Sequence, residues 1–545
     1  MLLLILAAAI QPPGSLAASP ESPDATFPVS VSAGGAWADG EGVSEYTTPS
    51  ISADGRFVAF LSAATNLGEA GPAGVTEGFV KDLETGAVSL VSRADGPGGE
   101  AAGEPGVSNL RLSGDGHFVV FTSAATNLGT ALPGGGVGET HVYRRDLETG
   151  ETTLVDPVGG VESVSISADG RAVAFIAGGV AYVRDLEAGM TTAVSRASGA
   201  AGAIADEPAE WISIAPDGRS VAFASRASNL VPGVEEGVWE QVYRRDLETE
   251  VTSLVSQNAL GEAGDRSSVL PAIAGADGCF ITLSSIAFNL LAPSPLEVSG
   301  EQVYVADVCA SPPSVTLASK NATAPFAPFA YSVAASSEDG SKAIFAAEFA
   351  GSPCCHLYLR DLAAGTTSQL DRASGPAGAL PDAEVQEFAL SANGCRAVFA
   401  TRATNLDGEG PPQGEEPTEV YVRQLVPCSD LPDAASGEIL GKTSADPPRP
   451  ASQAPIGKLK IQTVAKRKLV LGLSAAGQVT VRVRRLVPSR PREWRLIQTI
   501  EGRLDSAGTL TLPLSSLEPG RYRLNVHLHG AAAGTVRWLT VGSSG

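Results

Sequence analysis

Residues 52–60 read SADGRFVAF, and residues 167–175 repeat this stretch as SADGRAVAF. Each copy joins an Asp-Gly turn to a short apolar strand, and a second stretch, VYRRDLET, recurs at residues 142–149 and 242–249. Self-similarity at this spacing indicates a repeat architecture. The turn dipeptide, Asp-Gly or Asn-Gly, begins at Asp54, Asp115, Asp169, Asp217, Asp277, Asp339 and Asn393. The sequence therefore predicts seven copies of one unit.

Each unit is predicted to form four antiparallel strands, called a to d. In the first unit, strand a spans residues 50–53, strand b 57–61, strand c 79–82 and strand d 88–92. We expect Asp54-Gly55 to form a type I′ turn between strands a and b, because both residue types tolerate a positive φ. A four-stranded sheet of this size cannot bury both faces alone, but it can when it packs radially against similar sheets. The pattern therefore predicts an all-β protein that contains a β-propeller.

The number of strands indicates how the ring closes. Strand c occurs seven times and is marked by Phe79, Tyr143, Tyr182, Tyr243, Tyr304, Tyr358 and Tyr421. Strand d follows strand c in only six units, and residues 27–32 (FPVSVS) have the same character as the missing copy. This N-terminal segment is expected to pair with the strand of Tyr421. The prediction is a seven-bladed propeller, with a six-bladed ring plus an accessory unit as the alternative.

These repeats resemble the TolB-type, WD-repeat-like propeller family over roughly residues 27–426. The resemblance is carried by the SADGR motifs and by the two VYRRDLET motifs. It implies an envelope or secreted protein that binds other proteins, and it implies no catalytic residues. We place the propeller at residues 27–428. Because one fold hosts many functions, the motifs predict the fold more strongly than the activity.

The antiparallel order places the a-b and c-d turns on one face of the propeller and the b-c loops and d-a crossovers on the other. The turns are short, whereas the loops and crossovers are long, variable and rich in Gly, Pro and acids. Insertions confined to one face favour that face as the binding surface. The candidate binding residues on these loops are Trp37, Glu235, Glu236, Trp239, Asp407, Glu409, Glu415 and Glu416. The alternative is that acidic loops are solvated connections and that loop tryptophans pack on their own blades.

Charge argues against some functions and leaves others open. The 545 residues include 38 Lys+Arg and 60 Asp+Glu, for a net charge of -22, which argues against a phosphate-neutralising nucleic-acid binder. No Gly-x-Ser-x-Gly nucleophile elbow occurs. We therefore predict a binding or scaffold protein with no catalytic, metal or cofactor site, whose partner is a protein or a cell-envelope polymer. The alternative function is a hydrolase or lyase with acids in the central channel.

The N-terminus and the cysteines point to export. Residues 1–18 combine a nine-residue apolar run with small residues and are predicted to be a signal peptide, and no later run is long enough to span a membrane. We expect a secreted or envelope-associated protein with disulfides. Cys279 with Cys309 and Cys395 with Cys428 are the expected pairs, because each joins the start of strand b to the end of strand c. Cys354 and Cys355 are expected to form a vicinal disulfide or to remain buried thiols.

The composition changes after residue 428. Residues 429–455 are rich in Pro, Ala and Ser and are predicted to be a linker. Residues 456–545 contain 15 Lys+Arg and 4 Asp+Glu, whereas the rest of the chain contains 23 and 56. About seven alternating segments predict an immunoglobulin-like β-sandwich. The opposite charges raise the hypothesis of an intramolecular contact between this module and the propeller; the alternative is two independent modules.

Overall fold

The computed structural model of the 545-residue chain describes residues 22–39, 48–69, 71–129, 139–156, 158–234, 238–292, 300–320, 329–331, 336–349, 355–407 and 418–428, together with the backbone of seven later strands. The predicted signal peptide and linker lie outside the described residues. The chain divides into two compact units, Met1–Ile439 and Leu440–Gly545. The described residues contain no helix that is long and apolar enough to cross a membrane.

The first unit consists of seven four-stranded antiparallel sheets, the blades. The first described strand is β1 (Thr26–Pro28). Blade 1 contains β2 (Ser50–Ile51), β3 (Phe57–Ser62), β4 (Glu77–Asp82) and β5 (Val88–Leu90). Blade 2 contains β6 (Val107–Leu112), β7 (Phe118–Ser123), β8 (His141–Asp146) and β9 (Thr152–Leu154). Blade 3 contains β10 (Val161–Ile166), β11 (Ala172–Ala177), β12 (Val180–Asp185) and β13 (Met190–Ala193).

The remaining blades follow the same order. Blade 4 contains β14 (Ala209–Ile214), β15 (Ser220–Ser225), β16 (Gln241–Asp246) and β17 (Thr252–Leu254). Blade 5 contains β18 (Ser268–Ala274), β19 (Phe280–Ser285), β20 (Gln302–Asp307) and β21 (Ser314–Leu317). Blade 6 contains β22 (Phe329–Tyr331), β23 (Lys342–Glu348), β24 (His356–Asp361) and β25 (Thr366–Gln369). Blade 7 contains β26 (Val385–Leu390), β27 (Arg396–Thr401) and β28 (Glu419–Gln424), and its fourth strand is β1.

The pairing of β1 with β28 closes the ring. The two strands are antiparallel, with Phe27 opposite Val422 and Pro28 opposite Tyr421. The backbone N–H of Val29 extends the pairing by donating to the Val420 carbonyl oxygen at 2.7 Å. The N-terminal segment therefore supplies strand d of blade 7. The prediction of seven blades closed by this segment is confirmed, and the six-bladed alternative is wrong.

The a-b turns differ from the predicted type. Gly55 has a φ of +79°, but Asp54 is not among the non-glycine residues with positive φ, so the type I′ prediction is wrong. Instead, the Gly55 N–H donates to the Ser52 carbonyl oxygen at 3.0 Å, and only the last residue of this turn is left-handed. Asp in a right-handed conformation avoids the cost of placing a side chain in the left-handed region. The glycines of the other six turns also have positive φ.

Apolar side chains fill the blades and the spaces between them. Within a blade, aromatic rings on strands b and c stack across the ladder, as Phe121 does with Tyr143 at 5.8 Å between ring centroids. Between blades, one cluster joins Leu61 of blade 1 to Leu110 and Phe121 of blade 2. Cross-strand aromatic pairs and burial from both sides stabilise a sheet that would be marginal alone. The repeated Phe and Tyr positions in the sequence therefore mark the core.

Two disulfides join strand b to the end of strand c. Cys279 is bonded to Cys309 in blade 5 and Cys395 to Cys428 in blade 7, each with a Cα separation of 5.2 Å. These are the expected pairs. Cys355 is also disulfide-bonded and is buried, whereas Cys354 lies outside the described residues.

The second unit contains seven strands whose backbone forms two sheets. One sheet has the order β29-β30-β33 and the other β32-β31-β34-β35. The bounds are β29 (Leu459–Ala465), β30 (Lys468–Leu473), β31 (Gly477–Leu486), β32 (Trp494–Leu504), β33 (Gly508–Pro513), β34 (Gly520–Leu528) and β35 (Thr535–Val541). The immunoglobulin-like assignment stays a prediction.

A buried arginine reinforces the closing seam. Arg423 in β28 donates to the Thr26 hydroxyl at 2.9 Å, to the Ala373 carbonyl oxygen at 3.0 Å and to the Asp24 carboxylate at 3.0 Å. It thereby links strand c of blade 7 to the N-terminal segment and to the crossover from blade 6. Hydrogen bonds to a buried charge are stronger than neutral ones, and their loss leaves half-buried carbonyl groups without this donor.

We expect Arg423→Met to lower the free energy of unfolding by about 2 kcal/mol, because the buried Thr26 hydroxyl and half-buried carbonyl groups lose their donor. The matched control is Arg184→Met. Arg184 occupies the same position in strand c of blade 3, but among the described residues it donates only within its own blade, to the Gly189 carbonyl of the c-d turn and the Thr191 hydroxyl of β13. Thermal unfolding of both variants measures the difference. Equal losses of stability would contradict a special role for the seam.

Candidate functional site

The recurring Asp of the a-b turns is hydrogen-bonded within its own turn. The Asp54 carboxylate accepts hydrogen bonds from the Ser52 hydroxyl at 2.5 Å and from the Arg56 N–H at 2.9 Å. Backbone hydrogen bonds also link neighbouring turns, as from the Ala53 N–H to the Gly114 carbonyl oxygen at 2.8 Å. Similar turn-to-turn bonds join blades 2 and 3, 3 and 4, 6 and 7, and 7 and 1. The recurring Asp on this face is therefore a structural residue.

Strands a surround the propeller axis, since strand a of one blade contacts strand a of the next, as β10 does with β14. Serine hydroxyls on these strands accept backbone hydrogen bonds from the following blade. The N–H of Leu112 donates to the Ser50 hydroxyl, that of Ile214 to Ser165 and that of Ile273 to Ser213, at 3.0 to 3.2 Å. These serines hold neighbouring blades together, so they have a structural function.

One polar cluster interrupts this serine pattern. Arg111 of blade 2 donates to the Thr48 carbonyl oxygen at 3.2 Å, and the Thr48 hydroxyl donates to the Glu387 carboxylate of blade 7 at 2.7 Å. Burial raises the pKa of Glu387, while the hydrogen bond from Thr48 and the charge of Arg111 oppose that rise. Within the described residues, the carboxylate of this cluster is that of Glu387.

On the loop face, a recurring set of side chains holds the b-c loops of several blades against the crossover before them. The Asp382 carboxylate accepts hydrogen bonds from the backbone N–H and the hydroxyl of Thr404, both at 2.7 Å. Asn405 donates its side-chain amide to the Leu380 carbonyl oxygen at 2.9 Å. We call this arrangement the loop brace. Blades 1 and 4 have the same Asp bonds, in Asp39 with Thr65 and Asp206 with Ser228.

The structure separates the two predicted loop tryptophans. Trp37 is half-buried and packs on the core of its own blade, with its ring centroid 5.9 Å from that of Tyr421. Trp239 is 38% exposed and lies beside the Arg266 guanidinium, which is 5.9 Å from the ring centroid. Asp407 is half-buried. The predicted residues Glu235, Glu236, Glu409, Glu415 and Glu416 lie outside the described residues.

Two residues that the structure brings to Trp239 were not predicted from the sequence. Arg266 also lies over the ring of Phe288, 4.5 Å from its centroid, and Phe288 is 46% exposed. We call Trp239, Arg266 and Phe288 the blade 4-5 stack. The sequence nevertheless marks Phe288 as unusual. It precedes an Asn-Leu pair that recurs in the b-c loops, and the residues at this position in the other loops are Thr65, Thr126, Ser228 and Thr404.

Asp277, Cys279 and Cys309 place a carboxylate and two sulfur atoms within 4.8 Å of one another. The two sulfur atoms are bonded to each other. They therefore do not provide the thiolates that a metal site of this type requires.

A second set of buried polar residues lies at the start of strand c. In blade 7 the Glu419 carboxyl group is hydrogen-bonded to the Ser30 hydroxyl, and that hydroxyl accepts the Val420 N–H at 2.9 Å. Blade 4 has Gln241 at the same position, bonded to Ser256 at 2.7 Å. Blades 2 and 6 have a histidine at this position and an aspartate in place of the serine. In blade 6 the Nδ1 atom of His356 lies 2.9 Å from the Asp371 carboxylate. These residues bind strand c to strand d inside the blade.

No protein-family model matches the chain, and no curated protein matches it. Solved structures are similar in fold. The β-propeller domain of the Trilobed protease from Pyrococcus furiosus is 14% identical with a TM-score of 0.41, over 72% of this chain and 98% of that one. TolB from Acinetobacter baumannii is 15% identical with a TM-score of 0.35, over 59% and 65%. Oligogalacturonate lyase from Vibrio parahaemolyticus is 13% identical with a TM-score of 0.41, over 70% and 90%. At these identities the similarity concerns the fold alone.

Glu419 makes stability depend on pH. Burial raises its pKa to about 8 from an ordinary value of 4.5, against the opposing hydrogen bond from Ser30. The folded state therefore keeps a proton that the unfolded state releases between these pH values. Stability falls as pH rises through this window, by up to about 1.4 kcal/mol per pH unit.

We expect Glu419→Gln to remove this dependence, because an amide at this position has no proton to lose and blade 4 already uses Gln241 there. The variant should match the wild type near pH 4 and be more stable near pH 8. Unfolding midpoints across this range measure the effect. Glu248→Gln, an exposed change in a c-d turn, is the control. A constant difference between wild type and Glu419→Gln at all pH values would contradict the prediction.

Proposed function

We propose that this chain is an exported, non-catalytic binding or scaffold protein that uses the loop face of its propeller to bind a protein partner. The observation that carries the proposal is the exposed apolar and aromatic surface on loops fixed by the loop brace. Val238, Trp239 and Phe288 are exposed there. Tryptophan and arginine are enriched among the residues that dominate binding energy at protein interfaces.

The two disulfides support export. Disulfides persist in oxidising compartments and are rare in the cytosol. The disulfides Cys279–Cys309 and Cys395–Cys428 fit the secreted or envelope location that the predicted signal peptide indicates.

If a partner binds the loop face, a charge placed on that face should weaken binding, and the same charge on the turn face should leave binding unchanged. Val238 in a b-c loop and Val251 in a c-d turn provide a matched pair, with 51% and 49% exposure. Val158, in the crossover from blade 2 to blade 3, samples another sector of the loop face.

We expect the full-length chain to retain a protein from an envelope fraction, and Val238→Glu or Val158→Glu to reduce retention about tenfold, because an interface that buries an unpaired charge loses affinity. Val251→Glu should bind like the wild type. Quantitative mass spectrometry of the retained proteins measures the effect. Equal retention by all three variants, or no protein retained by the wild type, would contradict the proposal.

The second candidate function is a hydrolase or lyase in the central channel, and the buried Glu387 beside Arg111 is the observation that favours it. A carboxyl group with a raised pKa can act as a general acid. This candidate requires that the wild type cleave a polysaccharide or peptide and that Glu387→Gln abolish the cleavage. Wild-type activity that survives in Glu387→Gln would exclude a role for this residue.

A further inference from the structure

We propose that the blade 4-5 stack is a specific binding site for a carboxylate next to an apolar side chain, on an extended segment of a protein partner. This inference rests on the proposed binding function and assigns it to one place. Trp239 comes from the b-c loop of blade 4, Arg266 from the crossover to blade 5, and Phe288 from the b-c loop of blade 5. Three separate loops therefore converge on one guanidinium group.

Phe288 departs from the repeat, whereas Arg266 and Trp239 occupy positions that vary between blades. Phe288 occupies the position at which Thr65, Ser228 and Thr404 donate a hydroxyl hydrogen bond to the Asp of the loop brace. The phenylalanine gives up that bond and exposes an aromatic ring. Arg266 follows the brace residue Asp265, whereas the corresponding residues after Asp206 and Asp382 are Glu207 and Ala383. Trp239 is two residues before β16, where blade 2 has Glu139 and blade 7 has Pro417.

The backbone around the stack is fixed, although the side chains are unusual. The Phe288 N–H donates to the Asp265 carboxylate at 2.8 Å, and the Asn289 amide donates to the Ala263 carbonyl oxygen at 2.8 Å. On the other side, the Ser267 hydroxyl donates to the carboxylate of Glu240 at 2.5 Å. Every residue of the stack is therefore next to a residue held by a hydrogen bond. A site that is ordered before binding loses little entropy when a ligand arrives.

Arg266 is the polar centre of the stack. Its guanidinium lies within cation–π distance of two aromatic rings, those of Trp239 and Phe288. Within the described part of the chain, no residue forms a hydrogen bond or ion pair with that guanidinium. Its planar donors match a carboxylate, which they can bind through two parallel hydrogen bonds. The exposed rings beside it provide apolar contacts for the neighbouring residue of the ligand.

Charge favours a peptide with one acid over an acidic polymer. Outside residues 456–545 the chain has 56 Asp+Glu and 23 Lys+Arg, so a polyanion is repelled along its length. Salt screens charges beyond about 8 Å at physiological ionic strength, so a single carboxylate near Arg266 interacts mainly with that arginine. The chemistry of the stack therefore fits an isolated Asp, Glu or C-terminal carboxylate beside an aromatic or aliphatic residue.

The test uses the full-length chain and an array of hexapeptides that carry one Glu beside Phe or Leu. Each peptide has a counterpart with Gln in place of Glu, and oligogalacturonate is spotted on the same array. The variants are Arg266→Gln and Phe288→Thr, of which the second installs the residue used by blades 1 and 7. Arg171→Gln is the matched control, because Arg171 is exposed on the turn face and pairs with Asp169 and Glu187.

We expect the wild type and Arg171→Gln to bind Glu peptides about tenfold more tightly than Gln peptides, and Arg266→Gln to bind both equally, because the charged hydrogen bonds are lost. Phe288→Thr should lower the affinity for all peptides about fivefold, because the apolar contact is lost. The inference is wrong if the wild type does not distinguish Glu from Gln, if Arg266→Gln still does, or if oligogalacturonate binds more tightly than any peptide.

The same variants separate this inference from the proposed function. If Arg266→Gln and Phe288→Thr retain the envelope partner as the wild type does, the loop-face function stands and the stack is not its site. If the wild type retains no partner but binds Glu peptides through Arg266, the site stands and the proposed function fails.

Discussion

The structure depends on the pairing of β1 with β28, because a blade is too small to bury both of its faces unless it has a neighbour on each side. Without that pairing, blade 7 would lack its fourth strand and blades 7 and 1 would each expose an apolar face. The contact joins residues almost 400 positions apart, as Arg423 and Asp24 show. Closing so long a loop carries an entropic cost that local contacts do not have. The burial of Arg423 and of the Ser30–Glu419 pair in the same seam is consistent with that cost, since both add hydrogen bonds at the position where the ring is joined.

Most polar residues that recur in this chain have structural functions, and this changes how its acids should be interpreted. The Asp of the Ser-x-Asp-Gly turn closes its own turn, the Asp of the loop brace holds a loop, and the channel serines bind neighbouring blades. A repeat protein must satisfy the same backbone groups in every unit, so it uses the same polar residue each time. A replacement such as Phe288, which lacks a side-chain hydroxyl, gives up such a bond. Departures such as Phe288 therefore carry more information about function than the number of acids on a face does.

Local pattern and chain order were sufficient to predict the blades, the closing strand and the disulfide pairs. Those features depend on turn chemistry, on two-residue alternation and on the antiparallel order of strands b and c, all of which are visible in one sequence. The turn type was predicted incorrectly because Asp54 remains right-handed and only Gly55 is left-handed. The burial of Trp37 and the exposure of Trp239 could not be distinguished, because both lie in loops and their surroundings come from residues distant in the chain. Arg266 was not predicted for the same reason, because the two aromatic rings beside it belong to different blades.

Hydrogen bonds hold several described segments of the loop face, and this bears on how it would bind. Gly-rich and Pro-rich loops are usually mobile, but in blades 1, 4 and 7 a loop brace holds the described start of the b-c loop. At the other end of strand c, beside the c-d turns, Arg145 and Arg245 each donate to carbonyl groups of the preceding crossover, as Arg423 does at the seam. Lys81 donates to the Val31 carbonyl oxygen. A surface fixed in this way recognises a partner through positions already in place, so its specificity comes from which side chains the fixed backbone presents. On such a surface, replacing one repeat residue by an aromatic ring is enough to make one blade different from its neighbours.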